Sequence, residues 1–353
     1  NLKSRFDRKN YFYPDLPKAY QITQLFEPIC EGGSVECFDG SESFSIELDR
    51  AHLEEDAAKL IHPNGKKYTL VDFNRAGSPL LEIVTKPVIK SPKQARLYLE
   101  ALHQLVVLQN ICNGSLQKGQ FKFDLNISLS KTDELGSKVE LKNLNSFRFA
   151  EKALEYEIKR QSELLDRGES IISETRGYNE NKNITISQRV KEQSMDYRYF
   201  PEPDLPEVVL TASFIDNVES ELVTGTYELI KELLAIGIDI ETINKILINE
   251  VLRTFTLELI KSKVNNIGQI INFIYSSYNT LQESDRLKIN RLDTKSIVDN
   301  FNDVDDKRIT LMQLRSNSKL VLEGNNICRT LKDSGSLITL DDQELENIIK
   351  ESV

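Results

Sequence analysis

The chain has 353 residues, 39% of them hydrophobic, and a formal net charge of −10. That length supports two or three domains with cores of their own, and no apolar run reaches the roughly 18 residues that a membrane-spanning helix needs. The acidic excess, concentrated after residue 206, excludes a general electrostatic grip on nucleic acid, so an RNA partner would have to be held by local patches. Four cysteines, Cys30, Cys37, Cys112 and Cys328, form no CxxC pair; they read as buried free thiols in a reducing compartment.

In chain order, residues 9–24 are rich in aromatics and prolines, which predicts ordered strand or loop and no helix. Phe44, Ile46 and Leu48 alternate with Ser45, Glu47 and Asp49, as in a half-buried strand. That strand runs into Glu54, Glu55 and Asp56, which form either a solvated turn opening a helix or a cation-binding cluster. Two more strands are expected over 68–73 and 80–85. Ser91 caps a helix over 91–109 with Pro92 at its first position, and Ala95, Tyr98, Leu99, Leu102, Leu105 and Val106 form its apolar stripe. Next comes a hairpin. Phe121, Phe123, Leu125, Ile127, Leu129, Val139 and Leu141 share one face, and Asp124, Asn126, Glu140 and Lys142 share the other. A long helix runs from Ser146 to Arg167 and ends at Gly168. Strand-like and loop segments follow to Pro206. Beyond about residue 215 helical periodicity takes over, with helices near 226–236, 239–262 and 266–281 and shorter ones to 350. The expected division is therefore 1–210, a sheet-based domain, and 211–353, an all-helical one.

No phosphate loop, no dinucleotide-binding fingerprint and no serine- or cysteine-based nucleophile constellation is present. Carboxylates at strand positions are the chemical signal. Glu82 sits in the apolar run PLLEIV, where an ionised group needs a partner or a metal. Asp124 and Glu140 stand on one hairpin face, which is otherwise a solvated outer surface. Glu54 and Glu55 end another strand. Oxygen ligands on rigid strands suit Mg²⁺, which usually shares its coordination with phosphates. His52 is either a further ligand or, as lone histidines more often are, a packing residue. Lys9, Lys18, Arg75, Lys142, Arg148, Arg176 and Arg198 are candidate phosphate partners, or else surface ion pairs.

Six stretches in order, KNYFYPDLPKAYQITQ, HLEEDAAKL, LVDFNRAGSPLLEIVTKP, VELKNLNSFRF, ETRGYNENK and DYRYFPEPDLP, resemble the B subunit of glutamyl-tRNA(Gln) amidotransferase, the GatB family. The resemblance covers about residues 3–206 and continues more weakly into the helical part. It implies an α+β fold: an antiparallel-sheet cradle resembling glutamine synthetase and guanidino kinases, followed by an all-α domain. It also implies an ATP- and Mg²⁺-dependent ligase. Such an enzyme phosphorylates the γ-carboxylate of glutamate mischarged on tRNA(Gln), and ammonia from a partner amidase subunit then displaces the phosphate. A non-catalytic tRNA-binding or assembly subunit of the same complex is the alternative. Carried over position by position, Glu55, Glu82, Asp124 and Glu140 match the family's metal-site residues, with Glu54 a neighbouring candidate. Lys9 and Lys18 match polar residues near the ammonia tunnel and the entry to the kinase site. Asn143, Asn145, Arg148, Arg176 and Arg198 match positions assigned to ATP or the tRNA 3′ end. The implied partners are a GatA-type amidase subunit, a small GatC- or GatF-type subunit and the charged tRNA, with no membrane span. The family pattern also has a ligand-bearing strand ahead of this chain's first residue and a tRNA-gripping helical tail beyond its last. Ala19 and Ala58 stand where glycines are expected, and Phe123 where a smaller residue is. These three substitutions, with the divergent helical part, point to a mitochondrial matrix protein, or alternatively a bacterial cytoplasmic one.

Overall fold

A computed structural model of the chain describes residues 1–39, 42–190, 196–222 and 226–336. The chain divides into two compact units, Asn1–Val223 and Thr224–Val353. The division thus lies past the proline-rich run near residue 206, and the helices expected between 337 and 350 fall outside the described residues.

The first unit opens with β1 (Lys3–Ser4), β2 (Asp7–Asn10), β3 (Tyr20–Thr23), β4 (Cys30–Glu31) and β5 (Ser34–Phe38). The alternating segment becomes the long strand β6 (Ser43–Glu55), which carries the carboxylates to its very end; no helix opens there. Short strands β7 (Lys59–Ile61) and β8 (Leu70–Asp72) form a hairpin, and β9 (Pro79–Thr85) returns alongside β6. Helix α1 (Pro92–Leu108) starts where Ser91 accepts the Gln94 amide, with proline in the first turn. Its stripe is buried as expected except for Leu105, which is exposed. Tyr98, Leu99, Leu102 and Val106 cover Val35, Cys37 and Ile46 of β5 and β6.

The expected hairpin is shorter than its alternation suggests. Only Leu125–Ile127 (β10) pairs with Val139–Lys142 (β11), although exposure still alternates through residues 121–127. Helix α2 (Phe147–Asp166) follows, capped by Ser146. It ends with Gly168 at φ 74°, the Gly168 amide on the Leu165 carbonyl and the Glu169 amide on the Leu164 carbonyl. This pair of reversed bonds satisfies the last-turn carbonyls and needs a left-handed residue. Strand β12 (Glu174–Asn179) then pairs with β11 in parallel and with β13 (Ile184–Val190) antiparallel. The expectation of a purely antiparallel cradle is corrected here. The α2 crossover brings the chain back to the end it left, so the next strand must run the same way. The other pairings are antiparallel, including β14 (Phe200–Pro201) on β2 and β15 (Val208–Val209) on β1. Helix α3 (Ala212–Glu221) closes this unit. Val139, Leu141, Ala153, Leu154 and Tyr178 form its second core, under α2.

The second unit is helical: α4 (Thr226–Ala235), α5 (Ile240–Ile248), α6 (Glu250–Lys261), α7 (Ile267–Thr280), α8 (Glu283–Arg286), α9 (Thr294–Asp305), α10 (Leu311–Ser316), α11 (Ser318–Leu322) and α12 (Ile327–Asp333). The single helix expected over 239–262 is two. Asn249 leaves helical geometry at ψ 111° and caps α6 by accepting the Leu252 amide. Asparagine bonds to nearby backbone well enough to compete with helix continuation. Leu233, Ile243, Leu247, Phe255, Leu259, Ile271 and Ile297 make this unit's own core. No helix among the described residues is long and apolar enough to cross a membrane. All four cysteines are free thiols, as expected, but only Cys37 is buried, and Cys30 is exposed.

Candidate active site

Strands β6 and β9 build the site. Their register sets His52 directly opposite Glu82, with Glu54 opposite Leu80 and Arg50 opposite Val84. Because side chains alternate along a strand, Arg50, His52 and Glu54 share one face with Glu82. The His52 Nε2 lies 3.5 Å from a Glu82 oxygen and 3.9 Å from a Glu54 oxygen. The three potential ligand atoms fall within 4.8 Å of one another, the one such trio of His, Cys, Asp or Glu groups among the described residues. His52 and Glu54 are nearly enclosed, with 6% and 11% of their side chains exposed, while half of Glu82 is open. The donor set, two carboxylates and an imidazole, fits a divalent cation that prefers oxygen ligands.

The two carboxyls are driven in opposite directions. Burial, and then the charge of Glu82, push Glu54 above its ordinary value, which Thr23, Lys9 and His52 only partly offset. The neighbouring His52 holds Glu82 below its own, with help from Lys9 and Arg50. Such divergence is typical of paired acids with different tasks. Lys9, on β2, places its ammonium 4.8 Å from the Tyr197 ring centre and 5.5 Å from that of Tyr11. Tyr197 and Tyr199 also pack edge to face. Burial, reinforced by nearby carboxylates, pushes the Tyr11 and Tyr199 hydroxyls up to about 12, so both remain protonated hydrogen-bond donors. The segment around Tyr197 comes beside β2 through the β14 pairing and two bonds from Asn10, one from its amide to the Tyr197 carbonyl and one from its side chain to that of Arg198.

The other expected site residues are placed elsewhere. Glu55 points to the opposite face of β6, where it pairs with Lys18 and accepts the Ile22 amide at 3.0 Å. Asp124 and Glu140 belong to the β10–β13 sheet and gather around Lys142, at 2.6 and 3.3 Å. Thr175 donates to Glu140 as well. Arg176 is committed to structure: it bonds Glu174, the Thr185 hydroxyl and carbonyl, and lies 3.0 Å from the buried Glu157. Arg75 ties Asp56 to the Gly119 carbonyl. Asn145 donates to Glu180, and Asn143 has a left-handed backbone at φ 62° with its amide over Gly177. Arg148 and Arg198 are exposed, the latter also left-handed at φ 45°. Reading the residues in isolation therefore undervalued His52 and missed Arg50 and the tyrosines. The period-two parity of HLEE, which sets His52 with Glu54 and against Glu55, was the signal available.

A sheet-built centre with two carboxylates and an imidazole that could hold a cation, flanking cations and, among the described residues, no nucleophile constellation defines a class of protein suited to charge-stabilised group transfer. The model of the GatB/GatE catalytic domain matches residues 1–216, and the chain belongs to that family. Among relatives, the chain is 49% identical over 223 residues to the B subunit of the aspartyl/glutamyl-tRNA(Asn/Gln) amidotransferase of Bdellovibrio bacteriovorus, covering 62% of this chain and 46% of the relative. With its counterpart from Halorhodospira halophila it shares 51% over 224 residues, covering 62% and 47%. The counterpart from Thermotoga neapolitana is 39% identical over 363 residues, covering 99% of this chain and 74% of the relative. The match thus spans under half the length of the first two relatives.

Proposed function

We propose that this chain is the B-type subunit of a tRNA-dependent amidotransferase, converting Glu-tRNA(Gln) to Gln-tRNA(Gln) with ATP and ammonia. The observation that carries the reading is the His52–Glu54–Glu82 trio beside Lys9, within the family-matched domain. In the first step a γ-carboxylate oxygen of the substrate attacks the terminal phosphorus of ATP; the bond to the bridging oxygen breaks and ADP leaves. In the second, ammonia attacks the acyl carbon, the carbon–oxygen bond breaks, phosphate leaves and the amide nitrogen gives up a proton to solvent. His52, Glu54 and Glu82 would hold a Mg²⁺-type cation, which when bound would supply charge stabilisation for the phosphoryl group. Lys9 adds a positive charge fixed by two aromatic rings, and the tyrosine wall limits water, which would otherwise hydrolyse the acyl phosphate. Glu55 with Lys18, and Asp124 and Glu140 with Lys142, stand apart from the trio and remain our proposed further contributors to the kinase site. Arg148, Arg198, Asn143 and Asn145 remain our proposed contacts for ATP or the tRNA end. A GatA-type amidase and a GatC- or GatF-type subunit complete the assembly, and the cradle likeness to glutamine synthetase is part of the same proposal. A mitochondrial matrix or a bacterial cytoplasm suits four free thiols.

Glu82→Gln tests this in the assembled complex with glutamine, MgATP and Glu-tRNA(Gln). Amidated product should fall by about a hundredfold or more, with the assembly of the complex unchanged on size-exclusion chromatography. Loss of assembly would mark Glu82 as structural. Undiminished product would favour a tRNA-binding or assembly subunit whose carboxylates are scaffolding.

A further inference from the structure

Most cations near the β2–β6–β9 region are already spoken for. Arg8 is paired with Glu202 and Asp204 and lies over Tyr20. Lys18 is held by Glu55, and Arg75 by Asp56 and the Gly119 carbonyl. Arg50 differs. It stands on the face that carries His52, Glu54 and Glu82, diagonal to Glu82 across the β6–β9 ladder. A register shift between Leu48 and Arg50 sets it there, and such irregularities commonly re-aim side chains beside active sites. Among the described residues its Nη1 reaches only the adjacent Asp49, at 2.8 Å, and Asp49 is itself half exposed. Its Nε is buried and has no hydrogen-bond partner. With 30% of the side chain still open, the guanidinium is tied through one terminal nitrogen while its Nε edge has no partner. A planar fork of N–H donors with an unfilled buried position matches two oxygens of one phosphate group.

We infer that Arg50 is an anion-binding residue of this site, receiving the terminal phosphoryl oxygens of the nucleotide beside the His52–Glu54–Glu82 trio. This rests on the nucleotide-dependent reading proposed above. The competing explanation is that Arg50 serves only to pair with Asp49. An arginine that meets only the last phosphate distinguishes ATP from ADP, whereas a structural arginine does not.

The experiment is calorimetric titration of the full chain in its assembled complex with MgATP and with MgADP, for the unaltered protein, Arg50→Gln, Arg50→Lys and Asp49→Asn. Arg50→Gln should weaken MgATP about tenfold, as loss of a charge-assisted pair implies, and leave MgADP within about twofold. Arg50→Lys, which keeps the charge and guards against a folding defect, should recover only part of that loss because it lacks the fork. Asp49→Asn should bind both nucleotides like the unaltered protein. Equal weakening of ATP and ADP, no weakening, or the same selective loss in Asp49→Asn would each overturn the assignment of Arg50 while leaving the nucleotide reading intact. An unaltered protein that binds neither nucleotide would overturn both.

Discussion

Ala19 has a left-handed backbone, φ 63°, in the turn that links the proline-rich loop to β3. A side chain there costs roughly 1–2 kcal/mol against neighbouring backbone atoms, while glycine gives back part of that through its freer unfolded chain. Ala19→Gly should therefore stabilise the first unit by a net of about 0.5–1 kcal/mol, read as a higher midpoint in urea. The expectation of a glycine at this position came from family resemblance, and the backbone supplies its physical reason. The same scale decides the carboxylates. Glu54 and Glu55 are adjacent, so a strand must send them to opposite faces. Glu54 joins His52 and Glu82, while Glu55 turns to Lys18 and the Ile22 amide. Sequence shows that the two must part. Only the identity of the strand on each side shows which one meets the trio.

At the scale of elements, α2 is fastened to β12 and β13 by a buried network. Glu157 has no exposed side-chain surface and is bonded by Arg160, Gln161 and the Thr185 hydroxyl, with Arg176 at 3.0 Å. Burial works against its ionised form, but the bonds from Arg160, Thr185 and Gln161 prevail and hold the carboxyl below its ordinary value of 4.5. A group depressed on folding stabilises the protein above its unfolded value, and that stability is lost as the pH falls through the folded value. Denaturation midpoints should accordingly drop below pH 4.5 in the unaltered protein. Glu157→Gln should cost roughly 2 kcal/mol near neutrality, because it removes a charge-assisted bonding partner and leaves Arg160 and Arg176 only Glu174 to share, and should flatten the acid dependence. An unchanged acid slope in the variant would show that other carboxylates govern it. The amphipathic pattern of α2, its cap and its glycine stop are all visible in sequence. That Glu157 faces a sheet, and that Arg176 is spent on it, follows from the parallel β11–β12 pairing, which no local pattern announces.

On the scale of the whole molecule, the cores are separate. Leu141, Val139 and Tyr178 lie in a cluster of the first unit, and Phe255, Leu259 and Ile271 in that of the second. Separate cores of this kind commonly open as separate cooperative blocks. Thermal unfolding should then show two transitions. Phe255→Ala should lower one by about 3–5 kcal/mol, and Leu141→Ala the other by about 2–5 kcal/mol. A single transition moved by both variants would mean that the units unfold together. The helical unit's internal ties are specific. Asn300, fully buried, donates to the Ser296 and Asn325 carbonyls and accepts the Ile327 amide, joining α12 to α9.

The sequence by itself determined what depends on neighbours along the chain: strand and helix periods, the Ser91 and Ser146 caps, the Gly168 stop, the absence of a phosphate loop, and the motif series that marks the family. Those signals are local because side-chain direction and capping are set within a few residues. Tertiary structure alone decided which distant residues meet. His52 found Glu82 through the β6–β9 register, and Lys9 found Tyr197 because β14 pairs with β2. Asp124 and Glu140 closed on Lys142 in another sheet. Such meetings depend on register and on which strand lies beside which, and a one-residue slip exchanges the faces of a strand without altering its pattern.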